Sequence, residues 1–117
     1  MTRYKLFETS LRDMYRKVEV VKMDLVEFNE DYKQGRVFLF FQGEDCGLCQ
    51  GMKRKSLEEL RDFPGKFMVV DLSDRPDLRG EFQVFSFPSL LYLKDGKELG
   101  RLAGFFDFES FKRTLKS

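Results

Sequence analysis

Histidine and tryptophan are absent from the 117-residue chain, alanine occurs once and cysteine twice. The missing histidine excludes a Ser-His-Asp triad, a Cys-His dyad, a histidine general base and His-ligated zinc. With no tryptophan and one alanine, fourteen phenylalanines must fill the interior with large side chains. Charge of neither sign is in excess: 21 Lys and Arg against 20 Asp and Glu give a formal net charge of +1. That balance offers no footprint for nucleic acid or for an anionic membrane surface. No apolar run approaches the roughly 18 residues of a membrane span. Residues 1–17 are charged throughout and lack the apolar stretch of a signal peptide. The chain is therefore expected to be a soluble, cytoplasmic, non-exported domain. Two cysteines placed close together also argue against a secreted scaffold stapled by disulfides.

Apolar residues make up 42% and charged residues 35%, a mixture that suits one domain of this length. No repeat, low-complexity segment or Pro/Ser-rich linker divides it. Leu6, Phe7, Leu11, Met14 and Tyr15 recur at helical spacing and predict an N-terminal helix over Lys5 to Arg16. Val18, Val20 and Val21 predict a short strand. Phe28 and Tyr32, interleaved with polar residues from Leu25 to Gln34, predict a helix stopped by Gly35. Val37-Phe38-Leu39-Phe40-Phe41 reads as a central strand buried on both faces. It ends in Gln42-Gly43-Glu44-Asp45, after which Cys46 is expected to open a helix reaching about Asp62.

Phe67-Met68-Val69-Val70 predicts a second buried strand, and Asp74 is the expected cap of a short helix from Pro76 to Phe82. Ser89 to Leu93 and Leu99 to Ala103 predict a hairpin around Asp95-Gly96. Asp107 should cap a final helix whose Phe108, Phe111 and Leu115 share one face. The order βαβ, α, ββα joins a parallel half to an antiparallel half. It implies an α/β fold, a mixed sheet with helices on both faces.

Cys46-Gly47-Leu48-Cys49 lies where a buried strand turns into a helix. Unpaired N–H groups and the helix dipole there favour a thiolate at the first cysteine. The second, three residues on, is near enough for a disulfide to close. The pattern fits a dithiol–disulfide couple, with Gly47 leaving room for an incoming substrate. A structural disulfide and two inert core cysteines remain the alternatives.

The segment Val37 to Cys49, the run Phe87-Pro88-Ser89-Leu90-Leu91-Tyr92-Leu93, and the following Lys94-Asp95-Gly96-Lys97-Glu98 together resemble the thioredoxin superfamily. Gly104 matches the glycine that follows the family's last strand. The resemblance covers roughly Val18 to Ser117, which makes residues 18–117 a thioredoxin-like domain and residues 1–17 a helical extension to it. It implies the thioredoxin fold, a cis-proline at Pro88 beside the dithiol, and a substrate groove formed by Gly47, Leu48, Phe87, Pro88 and Gly104. A cis-proline there would also shield the dithiol from a bridging metal.

Departures from the family pattern are concentrated at the motif. Asp45 replaces the usual tryptophan, and Glu44 and Asp45 together should raise the Cys46 thiol pKa relative to a neutral neighbour. Phe40 stands where familiar thioredoxins have a buried aspartate that assists proton transfer to the second cysteine, and Val69 replaces its accompanying lysine. Leu48 replaces a proline. Phe87 is bulkier than the family's usual residue before the proline, and its role as a groove-narrowing side chain or an apolar anchor is open.

Lys53-Arg54-Lys55 reads as a solvated helix face, and Phe105, Phe106, Phe108 and Phe111 as core and docking surface for the last helix.

Three functions follow. The first is a thiol–disulfide oxidoreductase, with Cys46 attacking a substrate disulfide and Cys49 resolving the mixed disulfide, working as a reductant. It would need no cofactor beyond its own Cys46–Cys49 pair. Its partners would be a disulfide-containing protein and a reductase or small-thiol electron donor, with the chain a monomer. The second is a thioredoxin-like binding or scaffold domain with a vestigial or regulatory dithiol. The third is a metal-bridging dimer through the CxxC.

Overall fold

The computed structural model describes residues 23–115. The expected helix over Lys5 to Arg16, the strand at Val18 to Val21 and the extension at residues 1–17 lie outside these. The strands are β1 (Met23–Glu27), β2 (Arg36–Gln42), β3 (Gly65–Asp71), β4 (Ser89–Lys94) and β5 (Lys97–Ala103). The helices are α1 (Cys49–Leu60), α2 (Asp77–Phe82) and α3 (Phe108–Leu115). One sheet runs in the order β1-β3-β2-β4-β5. β1, β3 and β2 are mutually parallel, whereas β4 runs antiparallel to β2 and to β5.

Residues Val37 to Phe41 of β2 are buried on both sides of the sheet because both faces are covered. Phe38 and Phe40 point into a cluster with Cys49, Leu60, Phe67, Leu90, Phe108, Phe111 and Leu115, on the face that carries α1 and α3. Val37, Leu39 and Phe41 point the other way, against Tyr32, Met68, Val70, Leu78 and Val84, under α2. Phenylalanine supplies much of the first cluster: the Phe40 ring stacks on Phe67 at 6.1 Å and meets Phe106 edge-on at 6.3 Å. The period of two along β2 thus distributes its side chains between two cores.

Several expectations are corrected. Leu25 to Gln34 is not a helix: the strand β1 runs through Glu27, and only a 3₁₀ turn, Glu30–Lys33, follows. Pairing with β3, from Met23 opposite Gly65 to Glu27 opposite Val69, outweighs the weak helical spacing of Phe28 and Tyr32. Asn29 caps the turn, its Oδ1 accepting from the Asp31 N–H at 2.7 Å. The helix after the motif begins at Cys49, leaving Cys46 in the preceding turn. Asp74 is not the cap of the next helix. α2 is opened by Pro76 with no side-chain cap, and the Asp71 Oδ1 accepts from the Ser73 N–H in the turn that ends β3.

The Asp95-Gly96 turn has both residues at positive φ, as a two-residue hairpin requires. Asp107 accepts from the Ser110 N–H and caps α3 as expected. Gly65, at φ +146, opens β3 where a Cβ would lie 2.7 Å from the Arg36 carbonyl oxygen, so no other residue fits there without backbone movement.

Candidate active site

Strand β2 delivers the chain to Gln42, and a turn through Gly43-Glu44-Asp45 brings it to Cys46. Asp45 sits at φ +57, a conformation that a short polar side chain tolerates. Cys46 and Cys49 are joined in a disulfide with their Cα atoms 5.4 Å apart. Their environments differ. Cys46 is half-buried, whereas Cys49, the first residue of α1, is only 3% exposed and belongs to the core cluster of Phe40 and Phe67. The Cys49 N–H donates to the Cys46 carbonyl at 3.3 Å, tying the two together before the helix proper starts. No side chain caps α1, so its first-turn N–H groups meet no competing carboxylate.

A cleft of about 420 Å³ opens beside Cys46, lined by Glu44, Asp45, Gly47, Leu48, Phe85, Ser86 and Phe87. Glu44 and Asp45 are exposed on its rim. The Phe87–Pro88 peptide bond is cis. Neither Pro88 nor Gly104 lines the cleft. The Gly104 N–H donates to the Pro88 carbonyl at 2.9 Å and is therefore occupied within the fold.

Phe87 is turned onto Gly43, where a Cβ would meet its ring at 2.5 Å, and the Arg79 guanidinium lies 5.2 Å from the ring centroid. The ring is thus a partly buried floor shared by both cores rather than a projecting anchor. Gly43→Ala should cost about 1–3 kcal/mol through overpacking of this ring. The check is a lower denaturant midpoint at unchanged slope.

Below the motif, Asp71 closes β3 next to Gln42. The Ser73 N–H holds its carboxyl below the ordinary value of 3.8 against the opposing effect of burial, with a weaker contact from Gln42 Nε2 at 3.5 Å. A lowered folded-state pKa gives stability that is present above the ordinary value and lost as pH falls through the folded value. Asp71→Asn should therefore flatten the acid limb of the stability curve below about pH 4, measured by denaturant unfolding at stepped pH.

Phe40 and Val69 keep the region behind the motif apolar, and the described residues contain no group of three or more Cys, Asp or Glu placed to hold a metal. Arg54 and Lys55 are exposed on α1, as a solvated face requires. Phe108 and Phe111 are core, but Phe105 is 81% exposed and leaves the expected stripe. The spacing missed the Gly43–Phe87 contact and the exposure of Phe85. A glycine immediately before the turn was the available signal for the first.

Residues 21–117 match the family model of a thioredoxin-like domain. The chain belongs to the thioredoxin-like family. It is 31% identical over 99 residues to a thioredoxin of Staphylococcus haemolyticus, covering 82% of this chain and 94% of that one. Oxidised thioredoxin O2 of Arabidopsis thaliana superposes with a TM-score of 0.66 at 18% identity, covering 82% of this chain and 93% of its own. A mutant thioredoxin of Halobacterium salinarum gives the same TM-score of 0.66 at 17% identity, covering 81% and 88%.

The Cys46–Cys49 bond is the redox-active CxxC disulfide of a thioredoxin-like protein, and the fold around it is the thioredoxin fold. At the general level the chain is a thiol–disulfide oxidoreductase of a family that typically needs no cofactor. Among the described residues, no helix of this thioredoxin-like chain is long and apolar enough to cross a membrane.

Proposed function

We propose that the chain reduces protein disulfides, with Cys46 as the attacking and Cys49 as the resolving cysteine. The observation that carries this is the asymmetry of the pair: Cys46 borders the open cleft, and Cys49 is buried beneath it. In the dithiol form the Cys46 thiolate attacks one substrate sulfur. The substrate bond breaks, and the departing sulfur takes up a proton. Cys49 then loses its proton and attacks Cys46 Sγ, which closes the intramolecular disulfide and releases the second substrate thiol. Two electrons pass to the substrate, and a reductase or a small thiol returns them.

Glu44 and Asp45, exposed beside Cys46, set two carboxylates where the attacking thiolate forms and disfavour that charge relative to neutral neighbours. Gly47, Leu48 and Phe87 line the approach of the substrate chain, with Pro88 next to Phe87 in the chain and tied to Gly104 through its carbonyl. The working state is a cytoplasmic monomer that carries no resident cofactor.

Cys49→Ser tests the assignment. Mixed with a disulfide-containing protein, the variant should accumulate a covalent adduct through Cys46 that dithiothreitol releases. An adduct formed instead by Cys46→Ser would reverse the two roles.

A further inference from the structure

We propose that the cleft selects disulfides whose cysteine is flanked by lysine or arginine. The inference rests on Cys46 being the attacking cysteine and names the substrate class it meets. Glu44 and Asp45 both line the cleft, both are exposed, and neither forms an ion pair among the described residues. Five carboxylates elsewhere are neutralised by a partner. Glu30 pairs with Lys33, Asp31 with Lys66, Asp77 with Arg75, Glu98 with Arg101 and Glu59 with Lys112. Glu44 and Asp45, like several other surface carboxylates, have no such partner among the described residues, and they alone of that set stand within two residues of Cys46.

No lysine or arginine lines the cleft. Arg79, whose guanidinium lies against the Phe87 ring that forms the floor, also donates to the Val84 carbonyl at 3.3 Å. Beside Ser86, the wall offers two open apolar side chains: Phe85 is 73% exposed and Leu48 41%. A lysine or arginine stem of three or four methylenes packs on such a wall while its head reaches a carboxylate. An arginine can also lie over the Phe85 face. An acidic flank gains nothing from the wall and meets two like charges.

Exposed ion pairs are each worth roughly 1.5- to 5-fold in affinity, so the two carboxylates together should separate cationic from anionic substrates by about 3- to 20-fold at low salt. Salt should compress that range, since both groups are solvent-screened.

The test uses three synthetic disulfide-linked peptide dimers, identical except that lysine, glutamine or glutamate flanks the cysteine. The reduced full-length protein is mixed with each, and its rate is divided by that of dithiothreitol, which attacks through the same thiolate chemistry but carries no carboxylate, on the same peptide. This ratio removes the intrinsic reactivity of each disulfide. The expected order is Lys above Gln above Glu, narrowing from about 20 to about 300 mM salt and collapsing in a Glu44→Gln, Asp45→Asn double variant. The comparison is between peptides, so a uniform change in Cys46 reactivity in that variant cancels. Equal ratios for all three peptides, or an order that survives in the double variant, would overturn the selectivity while leaving the redox reading intact. No reduction of any peptide would overturn the redox reading, and the selectivity with it.

Discussion

Cys46→Ser is expected to lower the disulfide-reductase rate by roughly 10³-fold or more, to the level of buffer. The hydroxyl replaces the only sulfur of the pair that borders the cleft, and Cys49, 3% exposed, is too buried to take over as nucleophile. Folding should survive, because Cys46 is half-buried at a turn and the substitution is nearly isosteric. The proper reference is the reduced wild type, which also lacks the disulfide. Insulin-type turbidity or a chromogenic disulfide reads the rate, and thermal unfolding confirms the fold. A variant that kept its full rate would dismiss the mechanism and favour a binding domain whose dithiol is vestigial.

Phe40→Asp should be the most damaging substitution for the fold. Phe40 is 0% exposed and contacts the rings of Phe67 and Phe106 in the cluster that contains Cys49. Truncating a buried phenylalanine costs about 3–5 kcal/mol, and a carboxylate without a partner adds a desolvation cost. A domain of this size holds only about 5–15 kcal/mol, so the variant should be largely unfolded at pH 7.

The pH dependence has a definite sign. Burial raises the folded-state pKa of the new carboxyl above its unfolded value of about 3.9. Its stability deficit is therefore smallest below that value and grows as pH rises through the folded pKa. Circular dichroism should show structure regained on acidification from pH 7 towards about pH 5. Phe40→Leu, which adds no charge, should show no such recovery. An aspartate variant as stable at pH 7 as the leucine variant would show that the site admits water or a counter-charge. The apolar floor beneath Cys49 would then need revision.

Features whose cause is local were legible before the fold was known. Val37 to Phe41 read as a strand covered on both faces, Asp95-Gly96 as a hairpin turn, and Asp107 stood one position before an amphipathic helix. The Cys46–Cys49 pair was legible as a site because its turn lies between a buried strand and a helix. What remained hidden depends on residues distant in sequence. β1 owes its existence to an open side of β3, and nothing in Met23 to Glu27 announces that partner. The orientation of Phe87 depends on space left by Gly43 and on a guanidinium from α2. The displacement of the helix start from Cys46 to Cys49 reflects backbone geometry within the motif, which spacing alone cannot locate.

The contact between Gly43 and Phe87 also bears on how such a sequence can change over generations. A ring at position 87 and a methyl group at position 43 claim the same volume. Loss of the methyl first leaves only a small gap, whereas arrival of the ring first meets a collision. At about 1–3 kcal/mol for the collision, glycine before the aromatic is the less disruptive order, and a methyl regained under the ring has to be absorbed by stability elsewhere in the fold.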